Sequence, residues 1–189
     1  MMPAWDWELS LLHWFQSIHG PVLDVIMKSV TFLGNIGIFW IILALVFLFI
    51  PRYRQCGVSM AFALILSLIF TNVLIKNIVA RPRPFAVDPS LLNCFLLKKP
   101  TDWSFPSGHS SASFAASVAY FCNNGRKKSG AALIALAALI SVSRLYLSVH
   151  FPTDVIAGIV LGIIYGISGA FITRKTIYRS HDCNEQAAA

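Results

Sequence analysis

Four apolar runs, at 32–50, 58–75, 131–143 and 155–173, carry no Lys, Arg, Asp or Glu, and they constrain this chain more than any other feature. With their flanks they are long enough to cross a hydrocarbon core, which takes roughly 20 helical residues. They are continuous rather than alternating, so they predict helices and not barrel strands. Only 12% of the 189 residues are charged and 57% are hydrophobic, whereas a soluble domain has about 25% charged residues. A single soluble domain could not bury so much apolar surface, so the solvent of this chain is lipid.

The expected fold is all-α: a polytopic membrane helical bundle of five spans, or six, plus an N-terminal interfacial amphipathic helix. The spans are placed at about 30–50, 57–80, 107–123, 129–148 and 152–173. The start, MMPAWDWELSLLHWF, lacks the basic flank and long apolar run of a signal peptide. Instead, Trp5, Trp7, Leu11, Leu12, Trp14, Phe15 and Ile18 mix with Asp6, Glu8, His13 and Gln16. That mixture suits a helix at the interface, with tryptophans at headgroup level. Residues 1–29 are therefore expected as an interfacial segment, 30–178 as one membrane domain, and 179–189 as a cytoplasmic tail.

Within the domain, 81–104 is the one long linker, rich in proline and charge, and 123–128 is a short basic turn. Gly158, Gly162 and Gly166 recur every four residues, and 107–123 offers Ser110, Ala112, Ser113, Ala115, Ala116 and Ser117. Small residues at such spacing let helix backbones approach closely, and packing is the role expected of them. Cys56, Cys94, Cys122 and Cys183 show no metal-type spacing and are expected to be free.

The net charge of +7 is dispersed in short clusters between apolar runs, a pattern of membrane topology rather than of nucleic-acid binding. One side carries Arg52, Arg54, Arg126, Lys127, Lys128, Arg174, Lys175 and Arg179; the other carries Lys28, Lys76, Arg81, Arg83, Lys98, Lys99 and Arg144. With Lys76, Arg83 and Arg144 set aside as functional, the first side is expected to be cytoplasmic and the long loop external.

Three clusters fall on that second side: Lys76 to Arg83-Pro84, Phe105-Pro106-Ser107-Gly108-His109, and Ser143-Arg144 through His150 to Asp154. Lys76, Arg83 and Arg144 place three cations at the membrane boundary, where charge is expensive and usually functional. Arginine forks and a lysine point charge both suit phosphate oxygens. Ser107 and Gly108 open a helix, whose backbone N–H groups favour an anion. His150 can attack phosphorus through one ring nitrogen while Asp154 accepts the proton of the other. His109 can protonate the leaving oxygen. The pattern holds no metal-type cluster, and no metal or cofactor is expected.

These three parts, Lys-x6-Arg-Pro, Pro-Ser-Gly-His and Ser-Arg-x5-His-x3-Asp, resemble the signature of the type 2 phosphatidic acid phosphatase family, complete and in order over about 70–165. The family shares a superfamily with bacterial acid phosphatases and vanadium haloperoxidases. The resemblance implies a helical core in which His150 is phosphorylated, Asp154 orients it and His109 protonates the leaving group. Lys76, Arg83, Ser107, Gly108 and Arg144 are then the phosphate ligands.

It further implies a lipid phosphate partner entering from the bilayer, with undecaprenyl pyrophosphate the leading candidate. Phosphatidic acid and phosphatidylglycerophosphate are the alternatives. A vanadate haloperoxidase of the same superfamily fits the apolar spans poorly. A carrier or non-catalytic lipid binder leaves His150 and Asp154 without a purpose. Oligomeric state is not legible.

Overall fold

The computed structural model describes residues 4–92, 96–123 and 127–187, with side chains as far as 176. Cys94 and Arg126 lie outside the described residues, as do the side chains of Arg179 and Cys183. Among the described residues all regular structure is helical. Helix α1 (Asp6–Ser17) turns Glu8 and Leu12 inward and leaves Trp5, Trp7 and Trp14 exposed. Its amphipathic pattern thus produces the expected N-terminal helix, but one whose inner face belongs to the bundle. Leu12 packs with Leu91 and Phe151.

Helices α2 (Pro21–Leu33) and α3 (Ile38–Phe49) are one apolar pair broken at a 3₁₀ turn, Asn35–Gly37, where Ile36 and Gly37 have φ of 55° and 69°. Residues 21–29, part of the expected interfacial segment, are helical and lead into this break. Helix α4 (Arg54–Leu66) continues through a π-helical stretch, Ser67–Ile75, into α5 (Lys76–Val79). There Ala80 takes a left-handed φ of 46° and its N–H closes on the Lys76 carbonyl at 3.1 Å. Pro82 and Pro84 explain the stop, since proline cannot continue a helix and restricts the residue before it. Short α6 (Pro84–Val87), α7 (Gly108–Asn123), α8 (Lys127–Tyr146) and α9 (Pro152–Ala187) follow.

Among the described residues, Pro51–Val87, Lys127–Tyr146 and Pro152–Thr176 are long and apolar enough to cross a membrane. The α2–α3 pair, bent by 42°, makes a fourth if it crosses as one. The fifth expected span is α7, whose 16 residues reach about 24 Å at 1.5 Å each, short of the ~30 Å core. It lies in the middle of the bundle, buried from Ser110 to Tyr120 along its inner faces, and needs little lipid contact. Outward-facing Ile41, Leu45, Ile65, Leu68, Ile156 and Val160 are all exposed. Such a continuous apolar exterior identifies a membrane protein.

The axis of the bundle is the α7–α9 contact. Positions where Gly158 and Gly162 would carry a Cβ lie 2.6 Å from the Ser107 and Ser111 carbonyls, and that of Gly166 lies 2.9 Å from the Ala115 carbonyl. Both helices thus present small residues at four-residue spacing, and their backbones touch. At one end, Arg174 bonds Asn123, which bonds Ser59. The three sequence clusters gather at the other end, where α7 and α9 begin and α8 ends. Gly162→Val would overpack this seam by about 1–3 kcal/mol. The detergent-solubilised variant is expected to melt below the wild type; an unchanged melting temperature would contradict the close approach.

Candidate active site

Beyond Ala80 the chain is extended, with Arg83 at φ −79°, ψ 158°. Alternate side chains of an extended stretch point to opposite sides, so Arg81 and Arg83, two apart, serve different partners. Arg83 is buried and turns to the cluster. Its Nη1 donates to the Val149 carbonyl at 2.6 Å and lies 3.4 Å from His150 Nε2. Its Nη2 donates to Asp102 Oδ1 at 2.7 Å, and its Nε to the Asp102 carbonyl at 2.8 Å.

Lys76, also buried, donates from Nζ to the other carboxylate oxygen, Asp102 Oδ2, at 2.5 Å. One carboxylate therefore bridges two of the three expected phosphate cations. Half-burial of the Asp102 carboxyl opposes its ionisation, but Lys76 and Arg83 outweigh this and hold it well below the usual carboxylate range. The third cation, Arg144, is 4% exposed; Nη1 donates to Thr31 Oγ1 at 2.5 Å, and Nε has no hydrogen-bond partner among the described residues.

His150 leaves the turn after α8, where Ser148 takes a φ of 52° and the Val149 N–H closes on the Arg144 carbonyl. It is 1% exposed. Arginine offers donors only, so Nε2 facing Arg83 fits the tautomer whose proton sits on Nδ1. Burial, then the charges of Arg83, Arg144 and Lys76, push His150 well below the ordinary imidazole value. Its Nδ1 lies 3.6 Å from Asp154 Oδ2, within ion-pair reach but beyond hydrogen-bond distance.

Asp154 is meanwhile held from three other directions. Its Oδ2 accepts from Ser104 Oγ at 2.5 Å and from the Phe151 N–H at 2.9 Å; its Oδ1 accepts from Arg81 Nη1 at 2.6 Å. The Phe151 contact is one half of a capping box, so Asp154 also secures the first turn of α9.

The start of α7 is the opposite wall. Ser107 caps it, its Oγ accepting from the Ser110 N–H at 3.4 Å, while its own N–H donates to the Asp154 carbonyl at 2.9 Å. That bond ties α7 to α9. Gly108 has no room for a Cβ, which would meet the Asn72 amide. His109 Nε2 lies 3.0 Å from Asn35 Oδ1, and a Cβ at Gly34 would fall 2.7 Å from the His109 ring. Arg144, His150, Lys76 and Arg83 are all close enough for their charges to act on His109. All eight expected residues, Lys76, Arg83, Ser107, Gly108, His109, Arg144, His150 and Asp154, thus lie at one end of the bundle. Two open surface clefts, one at Leu48, Phe49 and Arg54 and one at Phe171, Lys175 and Thr176, include none of them.

Sequence reasoning missed several participants. Thr31 and Asn35 come from the α2–α3 bend, where no motif marks them. Asp102 was legible only as a loop acid. Arg81 is 1% exposed; its Nη1 also reaches Thr153 Oγ1 at 2.8 Å, its Nη2 reaches Glu8 Oε2 at 2.6 Å, and it stacks 4.0 Å over the Phe151 ring. Glu8 resembles a solvated residue of an interfacial helix, yet it is fully buried. The signal available was a lone acid on a face otherwise lined by Leu12. No group of three or more His, Cys, Asp or Glu among the described residues is placed to hold a metal ion.

Known proteins are similar to this chain. The chain is 35% identical over 124 residues to an undecaprenyl-diphosphatase of Sulfolobus acidocaldarius, covering 65% of this chain and 58% of that protein. It is 31% identical over 157 residues to the undecaprenyl-diphosphatase BcrC of Bacillus subtilis, covering 80% and 78%. The crystal structure of Aquifex aeolicus LpxE superposes with a TM-score of 0.71 at 28% identity, over 89% of this chain and 98% of that one. The PAP2 superfamily pattern matches residues 57–178, which include all three clusters, and the chain belongs to that superfamily.

Proposed function

We propose that this protein is an integral-membrane lipid phosphatase that hydrolyses a phosphomonoester or pyrophosphate through a phosphohistidine at His150. One observation carries the proposal: three buried cations, Lys76, Arg83 and Arg144, surround a buried imidazole whose Nε2 faces Arg83. In the first step Nε2 attacks phosphorus, the phosphorus–oxygen bond to the lipid breaks, and His109 gives its proton to the leaving oxygen. Water then attacks the phosphohistidine, returns a proton to His109 and releases inorganic phosphate. Asp154 stabilises the imidazolium. Lys76, Arg83, Arg144, Ser107 and the Gly108 backbone hold the phosphoryl oxygens. No cofactor takes part.

The leading substrate is undecaprenyl pyrophosphate, in line with the two relatives so named; phosphatidic acid and phosphatidylglycerophosphate are the alternatives. The lipid enters sideways from the bilayer into a site on the outer face of the plasma membrane. The core comprises about 70–165 of the 30–178 domain. In this proposal 1–29 lies at the interface and 179–189 on the cytoplasmic side.

Purified protein in detergent with EDTA is expected to release phosphate from undecaprenyl pyrophosphate and phosphatidic acid, the faster substrate directing the biology. His150→Ala should lower release by about 10³-fold or more, and His109→Ala by about 10²–10⁴-fold. Release unaffected in His150→Ala, or none from either lipid, would move the protein to the binding or transport class.

The rate is expected to follow a bell-shaped pH profile. Because the buried, cation-flanked His150 resists protonation, the acid limb of kcat/KM should lie below the ordinary imidazole value of about 6.5. An acid limb at or above that value would contradict the assignment.

A further inference from the structure

Against the site lies a buried chain of charges, two of whose members, Glu8 and Arg81, are not signature residues. Glu8 of α1, Arg81 and Asp154 of α9 are 0%, 1% and 0% exposed. Arg81 donates to both carboxylates at 2.6 Å. Thr153 completes the ring: its Oγ donates to Glu8 Oε1 at 2.6 Å and accepts from Arg81. Its N–H reaches the same Glu8 oxygen at 3.3 Å. The two carboxylates and one guanidinium together carry a single negative charge, and that charge adjoins His150 Nδ1. Without Glu8 the guanidinium would neutralise Asp154 and leave nothing for the imidazole.

We propose that Glu8 is a positioning residue for the reaction, offsetting the charge of Arg81 so that Asp154 can stabilise a cationic His150. This rests on the phosphohistidine reading, since only a phosphorylated or protonated His150 carries that positive charge. It makes α1 part of the catalytic apparatus as well as an interfacial helix. The other charged groups around His150 are Lys76 and Arg83 at the end of the second span, Asp102 in the loop, His109 of α7 and Arg144 of α8. The cations among them already oppose the imidazolium, so the single negative charge of the Glu8 group matters the more.

The test compares Glu8→Gln, Arg81→Gln and the double variant with wild type and His150→Ala, each as full-length protein in detergent with a lipid phosphate substrate. Glu8→Gln preserves shape and a contact to Arg81 while removing the charge. It is expected to lower kcat by about 10–100-fold, taking the scale seen when the outer partners of metal-ligating histidines are removed. KM should change little, and the acid limb of the pH profile should move to lower pH. The double variant restores the single negative charge, so its kcat and acid limb should return toward wild type.

A purely structural tether predicts the opposite: a double variant at least as impaired as Glu8→Gln, with an unmoved acid limb. That result, or a Glu8→Gln enzyme with wild-type kcat, would overturn the proposal. Should Glu8→Gln fail to fold, the double variant decides alone: kcat within about tenfold of wild type supports charge balance, and loss to the His150→Ala level overturns it. Wild-type release that is absent or survives His150→Ala would overturn the phosphohistidine reading and this proposal together. Normal His150-dependent release with an indifferent Glu8 would sink this proposal alone.

Discussion

Charge burial at the end of an apolar bundle is the constraint on which the rest of this structure depends. Lys76, Arg81, Arg83 and Arg144 all lie within a few percent of full burial. Unpaired charge in such a place is expensive. For Lys76, Arg81 and Arg83 the protein meets this with acids from distant parts of the chain, Glu8 near the start, Asp102 in the loop and Asp154 on α9, while Arg144 donates to the Thr31 hydroxyl. These pairings draw α1, the loop before α7 and the start of α9 onto the same point. A cluster that looks like a ligand site is therefore also the fastening of its own end of the bundle.

Backbone contact supplies the precision that charge alone lacks. The glycines of α9 bring it against the carbonyls of α7, and the Ser107 N–H then reaches the Asp154 carbonyl. The helix that carries His109 and the helix that carries Asp154 are thereby registered by a short, direct bond rather than by flexible side chains. At the α2–α3 break, Gly34 leaves room for the His109 ring and Asn35 meets it. A kink in an apolar span thus becomes a wall of the site.

The helical class, the one-sided gathering of the three clusters and the packing role of Gly158, Gly162 and Gly166 were legible in the sequence. They depend on local periodicity and short spacing. Residues that act across long sequence separations were not. Glu8 reads as polar because an amphipathic helix shows which face is apolar, but not that another element will cover an acid on it. Asp102 reads as a loop charge because its partners lie 26 and 19 positions away. The bounds of α7 were legible to within one residue, but not its central place, because its small residues look like those of any span, whereas in a crowded centre they pack protein on both sides.

The Asp102 carboxylate gives the cationic end of the bundle a resident anion. Under the proposed reaction, a phosphate arriving between Lys76 and Arg83 finds those cations already satisfied by Asp102, and it must share or replace the carboxylate. Its grip on the protein is then the difference between two similar charge-assisted contacts rather than the whole of one. Occupation becomes an exchange of ions, as in a resin, with little change in how well either cation is neutralised. In that proposed reaction the same exchange runs in reverse once inorganic phosphate has formed: a tethered competitor, always at hand, helps to displace it.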